Sequence, residues 1–252
     1  MIIFIHVPKT GGSSLTTILN YEYGDNFSRV ENKKSLKDAM AQSDIECIAG
    51  HFNYGWHKLI KGECKYITIL RNPIDRIISH YFFVLRSPEH EVYKKIINSN
   101  EDLKKVFGKN IKVAGGKEKM AKLMHKKVGI VKYVLSGLTD QTENGQTRML
   151  SGLDAPFGKC NKEMLLAAKK NLSDDFIAVG LTERFGESVQ LFRRKLKWKR
   201  DYTAAVENKR VDLSISSKFD NESIEYIKSF NRFDIELYNY ALMLFGKEQC
   251  MV

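Results

Sequence analysis

Short apolar runs alternate along this chain with stretches in which apolar residues recur at helical spacing. Ile2 to Val7 is an apolar run rich in β-branched residues, which predicts a strand buried on both faces, as in a parallel sheet. Leu15, Ile18 and Leu19 then recur at the spacing of a helix face. Asn20 to Ser43 is polar and charged, with Leu36, Ala39 and Met40 predicting a short amphipathic turn or helix. Ile45 to Ala49, Lys65 to Leu70 and Phe176 to Val179 predict three further strands. Pro73 suits the first turn of a helix, whose buried face is marked by Ile74, Ile77, Ile78, Tyr81, Phe82 and Leu85. Further helices are predicted from about Lys117 to Leu135 and from Met164 to Leu172. Another opens at Thr182, whose hydroxyl suits an N-cap. One long helix is expected from near Asp220 to Phe245. Strands alternating with helices predict the α/β class, a central parallel β-sheet flanked by helices.

The junction between the first strand and the first helix carries the densest chemistry. Pro8, Lys9, Thr10, Gly11, Gly12, Ser13 and Ser14 follow one another there. Glycines allow a tight turn and close approach of backbone to a ligand. The first N–H groups of a helix lack internal partners and carry the positive end of the dipole, so an anionic group belongs beside them. Lys9 adds a point charge, and Thr10, Ser13 and Ser14 add hydroxyl donors. In a Walker loop the lysine follows the glycines. Here it precedes them, and no Walker pattern occurs elsewhere.

Two later sites sit where a strand ends, the usual place for ligands in open α/β sheets. His51 directly follows the second predicted strand, and its unperturbed pKa near 6.5 suits a general base. His57 is a weaker candidate. Phe52, Tyr54 and Trp56 read as core residues. Arg71 ends the third predicted strand, and Ser79 lies two helical turns further on. Guanidinium offers a bidentate grip on phosphate that lysine cannot imitate.

Composition narrows the partners. The 252 residues carry a formal net charge of +11, which suits an anionic partner. They make one domain, 1–252, with no repeat or linker. The segment from Leu103 to Lys132 holds ten lysines against Glu118 as its only acid. It reads as a solvated face or as a landing surface for an acidic acceptor. Phe107 and Tyr133 are its nearest aromatics, a poor stacking platform for nucleic acid. Cys47, Cys64, Cys160 and Cys250 form no Cys-x-x-Cys pair, which disfavours zinc ribbons and suits a reducing compartment. No metal-ligand cluster is evident. No apolar stretch is long enough to span a bilayer, and the first strand begins at residue 2 without a basic leader. The chain is expected to be cytoplasmic and complete.

Pro-Lys-Thr-Gly-Gly-Ser-Ser resembles the 5'-phosphosulfate loop of sulfotransferases that use 3'-phosphoadenosine-5'-phosphosulfate (PAPS). Arg71-Asn-Pro-Ile-Asp-Arg-Ile-Ile-Ser79-His-Tyr resembles the 3'-phosphate motif of the same enzymes, in which an arginine and a serine grip the 3'-phosphate. Asn144-Gly-Gln-Thr-Arg148-Met-Leu-Ser-Gly152 resembles a segment of the carbohydrate branch, which includes the heparan sulfate 2-O- and 6-O-sulfotransferases. The stretch from Asp175 to Phe185 and the closing helix are similar as well. The resemblance implies a P-loop-like sulfotransferase fold. It implies PAPS as donor, bound by Lys9, Thr10, Gly11, Gly12, Ser13, Ser14, Arg71 and Ser79, without a metal. It implies an acceptor hydroxyl, on a carbohydrate such as an acidic glycan, with His51 at the position of the family's histidine base and Lys9 assisting the leaving group. Arg148 either helps hold the nucleotide or acceptor, or ties its loop to the core through backbone carbonyls. Glu183 is expected to be structural. A polar loop from Tyr202 to Ser217, with Asn208, Lys209 and Arg210, corresponds to one that folds over the nucleotide. The competing readings are a nucleotide-dependent kinase, disfavoured by the lysine-first loop and the lack of acidic magnesium ligands, and a non-catalytic binder of bisphosphorylated adenosine or acidic glycans.

Overall fold

The computed structural model describes residues 1–42, 44–98, 129–202 and 219–250. Most of the lysine-rich segment, the first part of the helix expected from Lys117, and Asn208, Lys209 and Arg210 lie outside them. Five strands form one sheet: β1 (Ile2–Ile5), β2 (Phe27–Arg29), β3 (Cys47–Gly50), β4 (Lys65–Leu70) and β5 (Phe176–Leu181). All pairs are parallel, in the order β2-β3-β1-β4-β5. Ile5 stands level with Gly50 on one side and Thr68 on the other, so the carboxyl ends of β3, β1 and β4 form one rim.

Sequence accounts for the local structure. Central strands β1 and β4 are covered on both faces, and Ile3, Phe4, Ile5, Ile67, Ile69 and Leu70 are fully buried. The helices α1 (Gly12–Tyr23), α2 (Lys33–Met40), α3 (Pro73–Leu85) and α4 (Glu91–Asn98) follow in order. Asn32 caps α2 in a capping box with Ser35. Asn72 caps α3 by accepting from the N–H groups of Ile74 and Asp75, with Pro73 in the first turn as expected. A second apolar cluster packs Ile77, Tyr81 and Leu85 of α3 against α4, against α5 (Ile130–Leu135) and against Ile227. The remaining helices among the described residues are α6 (Gly145–Ser151), α7 (Lys162–Asp174), α8 (Phe185–Leu196), α9 (Asn221–Phe230) and α10 (Arg232–Gln249).

Three expectations need correction. The edge strand β2 has no counterpart among the expected strands. Thr182 does not cap a helix: it begins a 3-10 turn, Thr182–Arg184, that leads into α8 without a side-chain cap. The expected long closing helix is two helices that meet at Asn231. The Asn231 side chain is buried, accepts from the Asn144 N–H at 3.1 Å and donates to the carbonyls of Thr142 and Ile227. Those bonds hold the break. No helix among the described residues is long and apolar enough to cross a membrane.

Candidate active site

After β1 the chain turns through His6, Val7 and Pro8 into a loop with a left-handed centre. Lys9 has φ +70° and Gly11 φ +82°, the first unusual for a residue with a side chain. The loop is held from within. The Thr10 hydroxyl is buried and donates to the Val7 carbonyl at 2.9 Å. The Thr182 hydroxyl donates to the Thr10 carbonyl at 2.6 Å and lies 3.0 Å from the Leu70 carbonyl. The end of β5 thereby ties the loop to the end of β4. Helix α1 starts at Gly12 with no side-chain cap and no acid in its first turn, so its first N–H groups stay available to an anion.

Gly12 has a second reason to be glycine. A Cβ there would fall 2.1 Å from the His6 ring, and His6 is itself buried. Gly12→Ala is therefore expected to displace His6 and the loop. We expect a stability loss of about 1–3 kcal/mol from overpacking, read as a lower midpoint in chemical unfolding. An unchanged midpoint would show that the ring moves aside freely.

Arg71 directly follows β4, is buried, and lines the same cavity. Its Nη1 donates to the Lys9 carbonyl at 3.2 Å, so it braces the loop from the neighbouring strand. The Gln146 side chain pins the Arg71 backbone twice, accepting from its N–H and donating to its carbonyl, each at 3.0 Å. Gln146 lies in α6, a short helix with every residue buried. Ser79, two turns into α3, lines the same cavity as Arg71. The crevice between β1 and β4 is where the chain reverses direction across the sheet, since β1 connects toward β2 and β4 toward β5. That switch point is the expected binding crevice of such a sheet.

His51 follows β3 and sits on the exposed rim of the cavity. Its Nδ1 lies 2.6 Å from the His6 carbonyl. A carbonyl only accepts, so Nδ1 carries the proton and Nε2 keeps its lone pair. Desolvation by the cavity wall pulls the His51 pKa below its usual 6.5, against the opposing pull of the His6 carbonyl. The His6 ring stands 4.2 Å from that of His51. Burial first, then the charges of His51, Arg29 and Lys9, push the His6 pKa down to about 3. Both rings are therefore neutral at pH 7. The Lys9 ammonium stacks over the Phe83 ring at 4.2 Å. Burial, then the neighbouring Arg86 and Arg71, lower its pKa.

A cavity of about 650 Å³ brings these groups together, lined by Lys9, Gly11, Gly12, Ser13, His51, Arg71 and Ser79 among the expected residues. His6, His80, Phe83 and His90 also line it and were not among the candidates. Thr10, spent on Val7, and Ser14 do not line it. Arg148 does not reach it either. Its guanidinium bonds the Glu143 carboxylate and the carbonyls of Ala155 and Pro156, the second of its two expected roles. Glu183 accepts from the Asn72 N–H and the Tyr238 hydroxyl, as a structural residue would. His57 bonds the Tyr66 hydroxyl, and Phe52 stacks on Trp56.

Among the described residues the cavity thus offers cationic positions after two different strands, Lys9 and Arg71, and, at His51 after a third, an unprotonated imidazole nitrogen. That arrangement suits an anionic ligand with two separated charged groups, and a proton acceptor beside it. Among known proteins, the solved structure of mouse sulfotransferase SULT7A1 complexed with PAP is similar at 14% identity, with a TM-score of 0.43 over 99% of this chain and 86% of that one. No curated protein matches the chain. The model of the family described as "Sulfotransferase family" matches residues 1–241. The chain belongs to the sulfotransferase family.

Proposed function

We propose that this enzyme moves a sulfuryl group from PAPS to an acceptor hydroxyl, and that His51 is its general base. The observation that carries the reading is the shared cavity: Lys9, Gly11, Gly12 and Ser13 of the loop, the Arg71 and Ser79 pair, and His51 all line it. The uncapped start of α1 with Lys9 suits the 5'-phosphosulfate. Arg71 and Ser79 suit the 3'-phosphate.

The chemistry follows from the tautomer. His51 holds its Nδ1 proton on the His6 carbonyl and presents Nε2 to the acceptor hydroxyl. Nε2 takes the hydroxyl proton while the acceptor oxygen forms its bond to sulfur in line. The bridging S–O bond to the 5'-phosphate breaks, and adenosine 3',5'-bisphosphate leaves. Lys9, Ser13 and the loop N–H groups oppose the charge that grows on the departing phosphate oxygen. Lys9 is suited to this because it is partly desolvated, where its charge acts more strongly than in water.

Calorimetric titration with adenosine 3',5'-bisphosphate, AMP and ATP–magnesium tests the donor assignment. The bisphosphate is expected to bind much more tightly than AMP. In Arg71→Ala its affinity should fall by about 10- to 150-fold, the worth of about 1.5–3 kcal/mol for hydrogen bonds to a charged group. AMP affinity should change far less. Equal affinity for the bisphosphate and AMP in the unaltered protein would remove the role given to Arg71 and Ser79. Preference for ATP–magnesium would favour a kinase.

A further inference from the structure

The groups placed so far leave part of the cavity lining unused, including His80, His90 and Gln141. In each of these side chains an atom that could accept is already spent on a protein donor. The Arg76 Nη1 donates to the Gln141 Oε1 at 3.2 Å. A guanidinium only donates, so the Gln141 amide nitrogen is turned away from it. The Val92 N–H donates to the His90 Nδ1 at 3.1 Å, which places the His90 proton on Nε2. His80 is fixed from deeper in the fold. It is only 4% exposed, and its Nδ1 lies 2.6 Å from the Tyr133 hydroxyl. Tyr133 is buried, and burial raises its pKa, so the phenol keeps its proton. Among the described residues His80 is the one hydrogen-bond partner of that hydroxyl. A buried hydroxyl without an acceptor is costly. Tyr133 therefore donates to Nδ1, and the His80 proton sits on Nε2, which no described residue bonds. Burial first, then the charges of Arg76, His90 and Lys9, push the His80 pKa down to about 3, so the ring is neutral.

We propose that His80 is a specificity residue for the donor: its Nε2–H, held in that tautomer by Tyr133, donates to the 3'-phosphate beside Ser79. This rests on the sulfotransferase reading above and adds a contact together with the device that fixes it. His80 follows Ser79 in α3 and lines the same cavity as Arg71. Arg71, Arg76 and Lys9 already gather positive charge at this end of the cavity, each felt by a neighbour among them or by His80. A further cation would be repelled there. A neutral N–H adds a hydrogen bond to a phosphate oxygen without that cost. Tyr133 does not line the cavity and acts through His80, so it is a positioning residue. His51 is held in the opposite sense, with its proton on Nδ1 against the His6 carbonyl. The site thus uses two neutral histidines in opposite tautomers, one to accept a proton and one to donate a hydrogen bond.

The test pairs spectroscopy with calorimetry on the full chain. Proton–nitrogen correlation spectra of the histidine-labelled protein report which ring nitrogen carries the proton, and the His80 signals are those lost in His80→Gln. Calorimetry then compares adenosine 3',5'-bisphosphate with AMP, which lacks the 3'-phosphate, for the unaltered protein, His80→Leu, His80→Gln and Tyr133→Phe. The expected spectrum shows His80 protonated on Nε2, and a mixture of tautomers in Tyr133→Phe. Bisphosphate affinity should fall by at least about 10-fold in His80→Leu, with AMP affinity nearly unchanged. His80→Gln, which again offers an N–H, should recover most of it, and Tyr133→Phe should fall in between. A purely structural role would lower both affinities together. His80 protonated on Nδ1 in the unaltered protein would overturn the proposal. So would full bisphosphate affinity in a Tyr133→Phe variant whose His80 tautomers mix, which decides the matter even where His80→Leu does not fold. Equal affinity for the bisphosphate and AMP in the unaltered protein would mean failure of the sulfotransferase reading itself. A preference for the bisphosphate that survives His80→Leu intact would mean failure of the His80 assignment alone.

Discussion

His51→Ala is expected to lower turnover by about 10²–10⁴-fold, the usual worth of a positioned general base, while adenosine 3',5'-bisphosphate binds nearly as before. The separation follows from where His51 sits. It comes from β3, whereas the groups assigned to the two phosphates come from β1, α1, β4 and α3. The His6 carbonyl that fixes its tautomer is backbone and survives the substitution. The pH profile gives a second readout. The base is the neutral ring, and desolvation by the cavity wall holds the His51 pKa below its usual 6.5. Activity should therefore be flat through neutral pH and fall on acidification, with a midpoint below 6.5, as His51 becomes protonated. His57→Ala is the control, since its ring bonds Tyr66 outside the cavity and should leave turnover unchanged. Turnover unchanged in His51→Ala, or an acid limb that persists there, would take His51 out of the mechanism.

Much of the positioning frame is legible in the sequence, for physical reasons that differ between elements. Strand β4 matches its predicted run residue for residue, Lys65–Leu70, because a strand covered on both faces is mostly apolar; its buried Thr68 hydroxyl is satisfied by the Ile5 carbonyl. Pro73 marks the start of α3 because a proline fits a first turn and little else in a helix. Strand β2 is not legible: Phe27–Arg29 is three residues long and lies at the edge, too short for any period. His6 escapes because it lies inside an apolar run and reads as strand. The signal was there, a single polar residue just before a glycine loop, and its ring packs on Gly12 and beside His51.

The polar stretch from Asn144 to Gly152 shows a different limit. Its residues look like a surface loop, yet α6 is buried throughout. Several of its polar groups are satisfied by partners far away in sequence: Gln146 by Arg71, the amides of Gln146 and Thr147 by Asp234, and the Asn144 side chain by the amides of Phe233 and Asp234. No local pattern encodes such pairings. The break at Asn231 is hidden likewise, because the apolar period of α9 and α10 runs through it while the asparagine bonds to the α6 side of the fold.

Those long-range pairings make Asp234 the position where one substitution should cost most stability. Asp234 and Arg76 are both fully buried, with Nη2 3.6 Å from Oδ2. The Asp234 carboxylate also accepts from the Gln146 N–H at 3.1 Å and the Thr147 N–H at 2.7 Å. Asp234→Ala would leave a buried guanidinium without its counter-charge and two buried amides without acceptors. Removing one partner of a buried ion pair costs about 3–5 kcal/mol, against a total stability of about 5–15 kcal/mol for an ordinary domain. We expect the variant to be largely unfolded or to show a much lower midpoint in urea. Asp234→Asn keeps one oxygen for an amide and should lose less. Arg76→Ala should also lose less than Asp234→Ala, because the two amides still solvate the carboxylate it strands. The effect should reach the cavity, since Asp234 holds the amide of Gln146, and Gln146 holds the backbone of Arg71. Asp234→Asn should therefore weaken bisphosphate binding while leaving AMP affinity nearly unchanged. An unfolding free energy of Asp234→Ala within about 0.5 kcal/mol of the unaltered protein, as for an exposed substitution, would mean that water or a rearranged α6 replaces the lost carboxylate, and that the route from α10 to Arg71 is not what holds the site.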